Sequence, residues 1–301
     1  MPAEAILRVT PHCSRSRGKL AGVLMTALLL PLLFTGCATS FVYNRLDTLA
    51  SWYFEDLVSL NDDQRHELRG WLERTLHWHR QSELRQYSQF VRSVAQQVSA
   101  PGNRASYEQL RGRFDVFVKN LADKTAPEAS HLLLTLSPAQ TDEMLKSLAD
   151  KARERKEKHA KAIAANKWRP EQRKDIAEQF KRWTGALSDR QEQIVADTVN
   201  ELEPTYLDWA ASQQAWRDAL RDALSADHAA MTTQRNVTEL LSDPPRQWTD
   251  AYAQKIARNR NRYLNMLAAL DASLSPAQRT HLREELGKLA GQLDKLAEGK
   301  A

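Results

Sequence analysis

The chain has 301 residues, two cysteines and a formal net charge of +5. Residues 1–36 contain four Lys or Arg and one Glu, so the remaining chain is near +2, and we expect no nucleic-acid partner. Both cysteines, Cys13 and Cys37, lie in that segment or directly after it, which excludes a disulfide-stabilised fold for the rest.

The first predicted element is a secretory signal. An apolar run of 15 residues, Leu20–Phe34, follows four basic residues and ends at Thr35-Gly36-Cys37. A helix needs roughly 20 residues to span a bilayer, so this run is short for a membrane helix. A cationic start, a short apolar core and small residues at the exit are typical of a signal peptide.

The end of the signal resembles the lipobox of bacterial lipoproteins, with Phe34 where that pattern prefers Leu. The resemblance implies cleavage after residue 36, a diacylglyceryl thioether on Cys37 and an acyl group on its new amine. We expect no cofactor other than these covalent lipids. The alternative is an uncleaved or ordinarily cleaved signal in which Cys37 is incidental.

After the signal, apolar residues recur at intervals of three or four, and residues that favour helices dominate. The pattern predicts an all-α fold of nine to eleven helices, arranged as antiparallel bundles with short loops. The eight tryptophans are expected to fill seams between helices. In the first helix, the predicted core stripe is Val42, Leu46, Leu49, Tyr53 and Leu57.

Helix ends are predicted at proline and at a recurring pentapeptide. The helix that carries Tyr107 is expected to stop before Pro127, because proline lacks the amide hydrogen that a helix interior requires. The pentapeptide Leu-[Ser/Asn]-x-x-Gln begins at Leu60, Leu136, Leu187 and Leu274. Its Ser or Asn can cap a helix, and its Gln can bond the backbone amide of the cap, which completes a capping box.

The order of these boxes divides the chain. The spans 60–136 and 187–274 each begin and end at a capped helix and contain a break and an aromatic-rich helix, which favours an ancient duplication. We predict a cleaved signal at 1–36, a lipidated tether at 37–42, and helical halves at 43–169 and 170–299.

Ten residues early in the mature chain form a distinctive set, which is Tyr43, Asn44, Asp47, Trp52, His77, Trp78, His79, Arg80, Glu83 and Tyr87. This set resembles an uncharacterised lipoprotein family of Gram-negative bacteria. The resemblance implies a fold class and a location but no activity. The pentapeptides are also similar to the Leu-Thr-x-x-Gln boxes of small periplasmic stress chaperones, which form helical cradles. Ordinary helix capping is the alternative explanation.

The run His77-Trp78-His79 suggests a metal site or a general base. Residues two apart on a helix point about 200° apart, so His77 and His79 are predicted on opposite faces. Glu73 with His77, and His79 with Glu83, are four apart and share a face, but each pair offers only two ligands. We therefore expect no metal, and the spacing favours a polar seam of helix pairs.

Two groups of basic residues are candidate partner-binding surfaces. The first is Lys151, Arg155, Lys158 and Lys161, and the second is Lys255, Arg258 and Arg262. A charge run is ordinarily a solvated helix face. The functional alternative is contact with anionic lipid headgroups or cell-wall carboxylates.

The expected function follows from the location and from the lack of a catalytic motif in the sequence. Residue 38 is Ala, not the Asp that in enteric bacteria signals retention at the inner membrane, so we expect the periplasmic face of the outer membrane. There we expect a non-enzymatic binding or chaperone-like module that takes an envelope protein or peptide. The alternative is a cell-wall or lipid hydrolase with its site around His77–Glu83.

Overall fold

The computed structural model describes residues 42–225 and 230–299, and it confirms the all-α class. These residues form eleven α-helical segments and no strand, with a π-helical turn at His79–Glu83 and a 3-10 turn at Pro244–Gln247. The segments are α1 (Leu46–Glu55), α2 (Asp62–Trp78), α3 (Leu84–Gln97), α4 (Arg104–Leu134), α5 (Pro138–Ala164), α6 (Trp168–Thr184), α7 (Asp189–Glu201), α8 (Tyr206–Ser225), α9 (Ala230–Ser242), α10 (Asp250–Ala272) and α11 (Pro276–Ala297). Among them, none is both long and apolar enough to cross a bilayer. The predicted signal and Cys37 lie outside the described residues.

All four predicted capping boxes are formed, at the starts of α2, α5, α7 and α11. At α2, the side chain of Asn61 accepts from the amide of Gln64 at 2.9 Å, and the Gln64 side chain accepts from the amide of Asn61 at 3.0 Å. Each box satisfies two backbone amides that the helix itself leaves without partners.

The boxes also meet in pairs, which their spacing did not predict. The side-chain nitrogen Nε2 of Gln64 donates to the backbone carbonyl of Thr135 at 2.8 Å. The Nε2 of Gln140 likewise donates to the backbone carbonyl of Ser59 at 2.8 Å. The two glutamine side chains bond each other as well, at 2.8 and 3.2 Å. Each backbone carbonyl belongs to the residue just before the leucine of the partner box. The starts of α2 and α5 are therefore joined reciprocally.

The starts of α7 and α11 repeat this arrangement. Gln191 donates to the carbonyl of Ser273 at 3.2 Å, Gln278 donates to the carbonyl of Ala186 at 2.8 Å, and the two amides bond each other at 3.0 Å. Ser273 and Ala186 again directly precede the leucine of the partner box. The same contact thus occurs once within each predicted half.

The prediction that a helix stops before Pro127 is wrong, because α4 continues through this residue to Leu134. A proline inside a helix costs about 3 kcal/mol. On both sides of Pro127, however, α4 buries apolar residues, with Leu121 upstream and Leu132 downstream both at most 3% exposed. Burial of each such side chain contributes about 1.5–3 kcal/mol, so packing on both sides outweighs the local cost.

The predicted core stripe of α1 is also wrong at Leu49, which is 42% exposed. The buried side of α1 is formed by Leu46, Ala50 and Phe54. Phe54 packs edge-on against Trp71 of α2, with ring centroids 5.9 Å apart. With this side of α1 in the core, Leu49 lies on the outward side.

The hydrophobic core joins both predicted halves. One cluster combines buried residues of α1, α2, α4 and α5 with residues of α8 and α9, and a second combines α3 and α4 with α11. α3 and α11 run antiparallel, since Ser88 donates to the carbonyl of Ala290 while Arg279 donates to the carbonyl of Val98. The halves 43–169 and 170–299 therefore pack into a shared core, and their duplication stays a hypothesis.

Candidate functional site

The π-helical turn between α2 and α3 places two titratable side chains inside the protein. In this turn the amide of Leu84 bonds to the carbonyl of His79, five residues earlier, as in a π-helix. His79 is 0% exposed and Glu83 is 3% exposed. His77 is exposed, so the two histidines face opposite sides, as predicted.

His79 connects the turn to the start of the described chain. Its Nδ1 lies 2.8 Å from the hydroxyl of Tyr43, and its ring lies 5.5 Å from the ring of Tyr87 between centroids. Its Nε2 is buried and has no hydrogen-bond partner among the described residues. The imidazole therefore bonds to the protein through one nitrogen and packs against aromatic rings around the rest.

A second contact runs beside the first. The guanidinium of Arg80 lies 5.5 Å from the ring centroid of Tyr43 and donates to the side-chain oxygen of Asn44 at 3.1 Å. Glu83 accepts from Gln86 at 3.2 Å on the other side of the turn. The fold thus gathers six of the residues that carry the family resemblance, which are Tyr43, Asn44, His79, Arg80, Glu83 and Tyr87. We call them the His79 cluster.

Of the four other residues of the resemblance, Trp78 adjoins this cluster, since its ring centroid lies 6.2 Å from that of His79. Asp47 accepts a hydrogen bond from Thr48 on α1. Trp52 is exposed on α1, and Trp78 is half-buried at the end of α2. Glu73 is exposed together with His77, so this pair forms no site with the buried His79.

Burial controls protonation in the His79 cluster. Burial, together with the nearby Arg80 guanidinium, lowers the pKa of His79 to about 3. Burial raises the pKa of Glu83, and the hydroxyls of Ser82 and Tyr87 offset part of that rise. Burial also raises the pKa of the Tyr43 and Tyr87 hydroxyls. His79 is therefore a neutral imidazole at neutral pH.

This arrangement is suited to holding helices together. A general base must come within about 3 Å of the proton that it removes, but His79 presents no surface to a substrate in this conformation. Across residues 42–225 and 230–299, no three His, Cys, Asp or Glu side chains are grouped so that they could hold a metal ion.

The first group of predicted basic residues is partly used by the fold. Lys151 pairs with Asp56 at the end of α1, at 2.6 Å. The Arg155 guanidinium donates to the carbonyl of Lys151 and lies 5.8 Å from the ring centroid of Trp209. Lys158 and Lys161 are exposed. Contact of this group with anionic lipid headgroups or cell-wall carboxylates stays a prediction, and Lys158 and Lys161 are the two residues most available for it.

The second basic group forms ion pairs within the protein. Arg258 and Arg262 donate to the carboxylate of Glu203 at 2.8 and 2.9 Å, and their hydrogen bonds lower the pKa of Glu203 to about 2. Lys255 pairs with Asp208 at 2.7 Å. These contacts join α10 to the loop between α7 and α8 and to the start of α8. A partner would have to compete with them.

Sequence reasoning missed two features that the fold creates. The Tyr43–His79 contact joins residues 36 positions apart and has no local signal. The exposure of Leu49 did have a local signal in the sequence, because Leu46, Ala50 and Phe54 form an alternative apolar stripe on the same helix. Weighing both stripes would have identified a helix with apolar residues on two sides.

The structure is that of an all-α protein in which the buried His79 cluster joins the start of the described chain to the turn between α2 and α3. The chain belongs to a family of unknown function (DUF6279), whose sequence profile matches residues 56–253, about two thirds of the chain. The match includes His79, Arg80, Glu83 and Tyr87 but not Tyr43 or Asn44. No curated protein and no solved structure was found to match.

Proposed function

We propose that the protein is a lipoprotein of the Gram-negative outer membrane, anchored through Cys37 on the periplasmic side. It acts there as a non-enzymatic helical module that binds an envelope protein or peptide, in the manner of a chaperone. Two acyl groups on the sulfur-linked glycerol and one on the amine contribute about 0.8 kcal/mol per buried methylene, which makes the anchoring effectively permanent. The signal-like residues 20–37 and Ala38 support the location.

The observation that carries the non-enzymatic part is the enclosure of the His79 cluster. Two of the catalytic candidates around His77–Glu83, His79 and Glu83, are at most 3% exposed. Tyr43 and the neighbouring aromatic rings occupy the space around the imidazole. Their packing gives these residues a structural task and supports a protein that works through its surface.

The anchor is tested by replacing Cys37 with Ser and fractionating the envelope. The wild type should sediment with the outer membrane, and Cys37→Ser should lose the lipid mass and leave that fraction. Cys13→Ser is the matched control, since this cysteine precedes the predicted cleavage site, and it should behave as the wild type. A Cys37→Ser protein that remains in the outer membrane at unchanged mass would refute the anchor.

The binding activity is tested with the lipid-free chain from residue 38 onwards. We expect it to suppress the aggregation of chemically reduced lysozyme, measured by light scattering at equimolar concentration. A scattering curve unchanged by the protein would contradict the chaperone-like part of the proposal and leave the anchor unaffected.

The second candidate is a cell-wall or lipid hydrolase. It is favoured by one observation, the buried His79 whose Nε2 has no partner among the described residues, in a π-helical turn of the kind that is frequent at functional sites. Hydrolysis of purified peptidoglycan or phospholipid that disappears in a folded His79→Asn variant would favour this candidate. Equal activity in both proteins would exclude His79 as its base.

A further inference from the structure

The outer side of α1 carries large apolar side chains that the fold does not cover. In the described residues, five large hydrophobic side chains are exposed, and two of them, Leu49 and Trp52, are on this ten-residue helix. They lie three positions apart and so share one face. Trp52 is 64% exposed, whereas the other seven tryptophans of the chain are buried or half-buried.

The exposure of these residues is not a by-product of packing. The opposite side of α1 already provides the core contacts, since Leu46, Ala50 and Phe54 are 5–7% exposed. A helix on the surface of a protein in water normally presents polar residues on its outer side. A polar residue at position 52 would leave these core contacts intact, so the core does not account for the tryptophan.

The position of α1 in the chain places Leu49 and Trp52 close to the lipid proposed on Cys37. Leu46 is nine positions after Cys37, and an extended chain spans at most about 3.3–3.6 Å per residue. The start of α1 is therefore within roughly 30 Å of the lipid attached to Cys37. A helix rises about 1.5 Å per residue, so Leu49 and Trp52 lie at most about 10 Å further along α1 and within roughly 40 Å of that lipid.

The chemistry of the two side chains fits the boundary of a membrane. Tryptophan is enriched where lipid headgroups meet acyl chains, because its ring is apolar and its N–H can bond to water or headgroups. The acidic end of α1 is partly neutralised, since Asp56 pairs with Lys151 at 2.6 Å. Repulsion between this end and anionic headgroups is correspondingly smaller.

We propose that Leu49 and Trp52 insert into the headgroup region of the leaflet that holds the Cys37 lipid. The inference rests on the proposed lipid anchor and adds that the folded domain lies against the membrane through α1. The anchor supplies the attachment, and the two side chains fix the orientation of the domain. A second copy of the chain on this face is the competing outcome of the test.

The experiment uses the full lipidated protein in vesicles of phosphatidylethanolamine and phosphatidylglycerol. The mature chain has no cysteine other than the acylated Cys37, so Thr48→Cys introduces a single thiol beside Leu49 and Trp52 and leaves both intact. A nitroxide on this thiol reports its surroundings through collisions with oxygen, which concentrates in the bilayer, and with a water-soluble nickel chelate. Met231→Cys is the matched control, since Met231 is 83% exposed on α9.

We expect the label at position 48 to be several-fold less accessible to nickel than the label at 231, and more accessible to oxygen. Adding Leu49→Ser and Trp52→Ser should restore nickel access at position 48 without changing vesicle flotation or the midpoint of thermal unfolding. This pattern would support the inference.

Three results would overturn it. Equal nickel access at 48 and 231 in protein that floats with the vesicles would show that α1 faces water, while the anchor stands. Equal shielding at position 48 in the vesicle-free, lipid-free chain from residue 38 onwards would assign the face to a second copy. Failure of the wild type to float would refute the anchor and this inference together.

Discussion

The side chain of His79 is kept out of water by the fold, and its protonation is therefore coupled to stability. Its Nδ1 lies 2.8 Å from the Tyr43 hydroxyl, and burial lowers its pKa to about 3. An ordinary histidine has a pKa near 6.5. Between these two values the unfolded chain binds a proton at this residue and the folded chain does not. The free energy of unfolding must then fall as the pH falls.

We predict that His79 lowers stability from about pH 6.5 down to about pH 3, with a slope of up to about 1.4 kcal/mol per pH unit. The measurement is urea unfolding of the wild type and of His79→Asn at several pH values between 7 and 4. The asparagine side chain can either donate to or accept from the Tyr43 hydroxyl, and it does not titrate. The stability of the wild type relative to the variant should therefore decrease steadily towards acid pH.

The comparison of two proteins removes the contribution of Glu83. Its pKa is raised, so folding promotes proton uptake there and its effect on stability has the opposite sign. Glu83 is present in both proteins and cancels in the difference. His77→Asn is the matched control, because it removes an exposed histidine and leaves the buried His79 in place, and it should keep the acid destabilisation that His79 causes. A His79→Asn difference that is constant with pH would contradict the buried neutral imidazole.

At the scale of helices, the paired capping boxes explain why each box ends in glutamine. A capping box accepts Glu or Gln equally well, because only the side-chain oxygen bonds the cap. The side-chain NH2 of Gln64 also donates to the backbone carbonyl of Thr135 and to the side chain of Gln140. The side-chain NH2 of Gln191 donates in the same way to the backbone carbonyl of Ser273 and to the side chain of Gln278. A carboxylate has no hydrogen to donate. The pairing therefore requires an amide.

We predict that Gln64 and Gln140 are energetically coupled. Gln64→Ala and Gln140→Ala should each destabilise the protein, and the double variant should lose 0.5–3 kcal/mol less than the sum, which is the usual coupling for residues in direct contact. The coupling arises because either substitution already breaks the bonds between the two amides. Urea unfolding of the four proteins measures it.

The second pair provides the matched control for this cycle. Gln64 and Gln278 belong to different pairs and share no hydrogen-bond partner, so their alanine variants should add within about 0.5 kcal/mol. Additive behaviour within the Gln64–Gln140 pair would mean that the amide contact contributes nothing beyond each separate cap.

At the scale of the whole molecule, the two predicted halves repeat one contact and yet depend on each other. The glutamine pair occurs once in each half with equivalent carbonyl partners, which supports the hypothesis of duplication. The core nevertheless crosses the boundary, with Leu220, Val237 and Leu241 from the second half packed into the cluster of α1, α2, α4 and α5. Any duplicated halves would thus have become mutually dependent.

We predict that residues 43–169 and 170–299 do not fold separately. Each buried Leu or Val exposed by separation costs about 1.5–3 kcal/mol, and a few such losses exceed the 5–15 kcal/mol by which domains are stable. Each fragment should show a broad, non-cooperative urea transition by circular dichroism, whereas the chain from residue 38 should unfold sharply. A cooperative transition in either isolated fragment would contradict this prediction.

The sequence by itself determined the helical class and the starts of four helices. Apolar spacing of three or four residues and the contacts of a capping box act within one or two turns, so they hold wherever the helix lies in the fold. The opposite faces of His77 and His79 follow from helix geometry in the same way.

Tertiary structure decided the outward face of Leu49, the passage of α4 through Pro127, the burial of His79 and the pairing of the capping boxes. Each depends on residues far apart in the chain, 36 positions for Tyr43 with His79 and 87 for Gln191 with Gln278. The free energy of apolar burial depends on the area removed from water and not on which stripe covers it. Local patterns therefore permit several packings of the same helices, and only the complete set of contacts selects one.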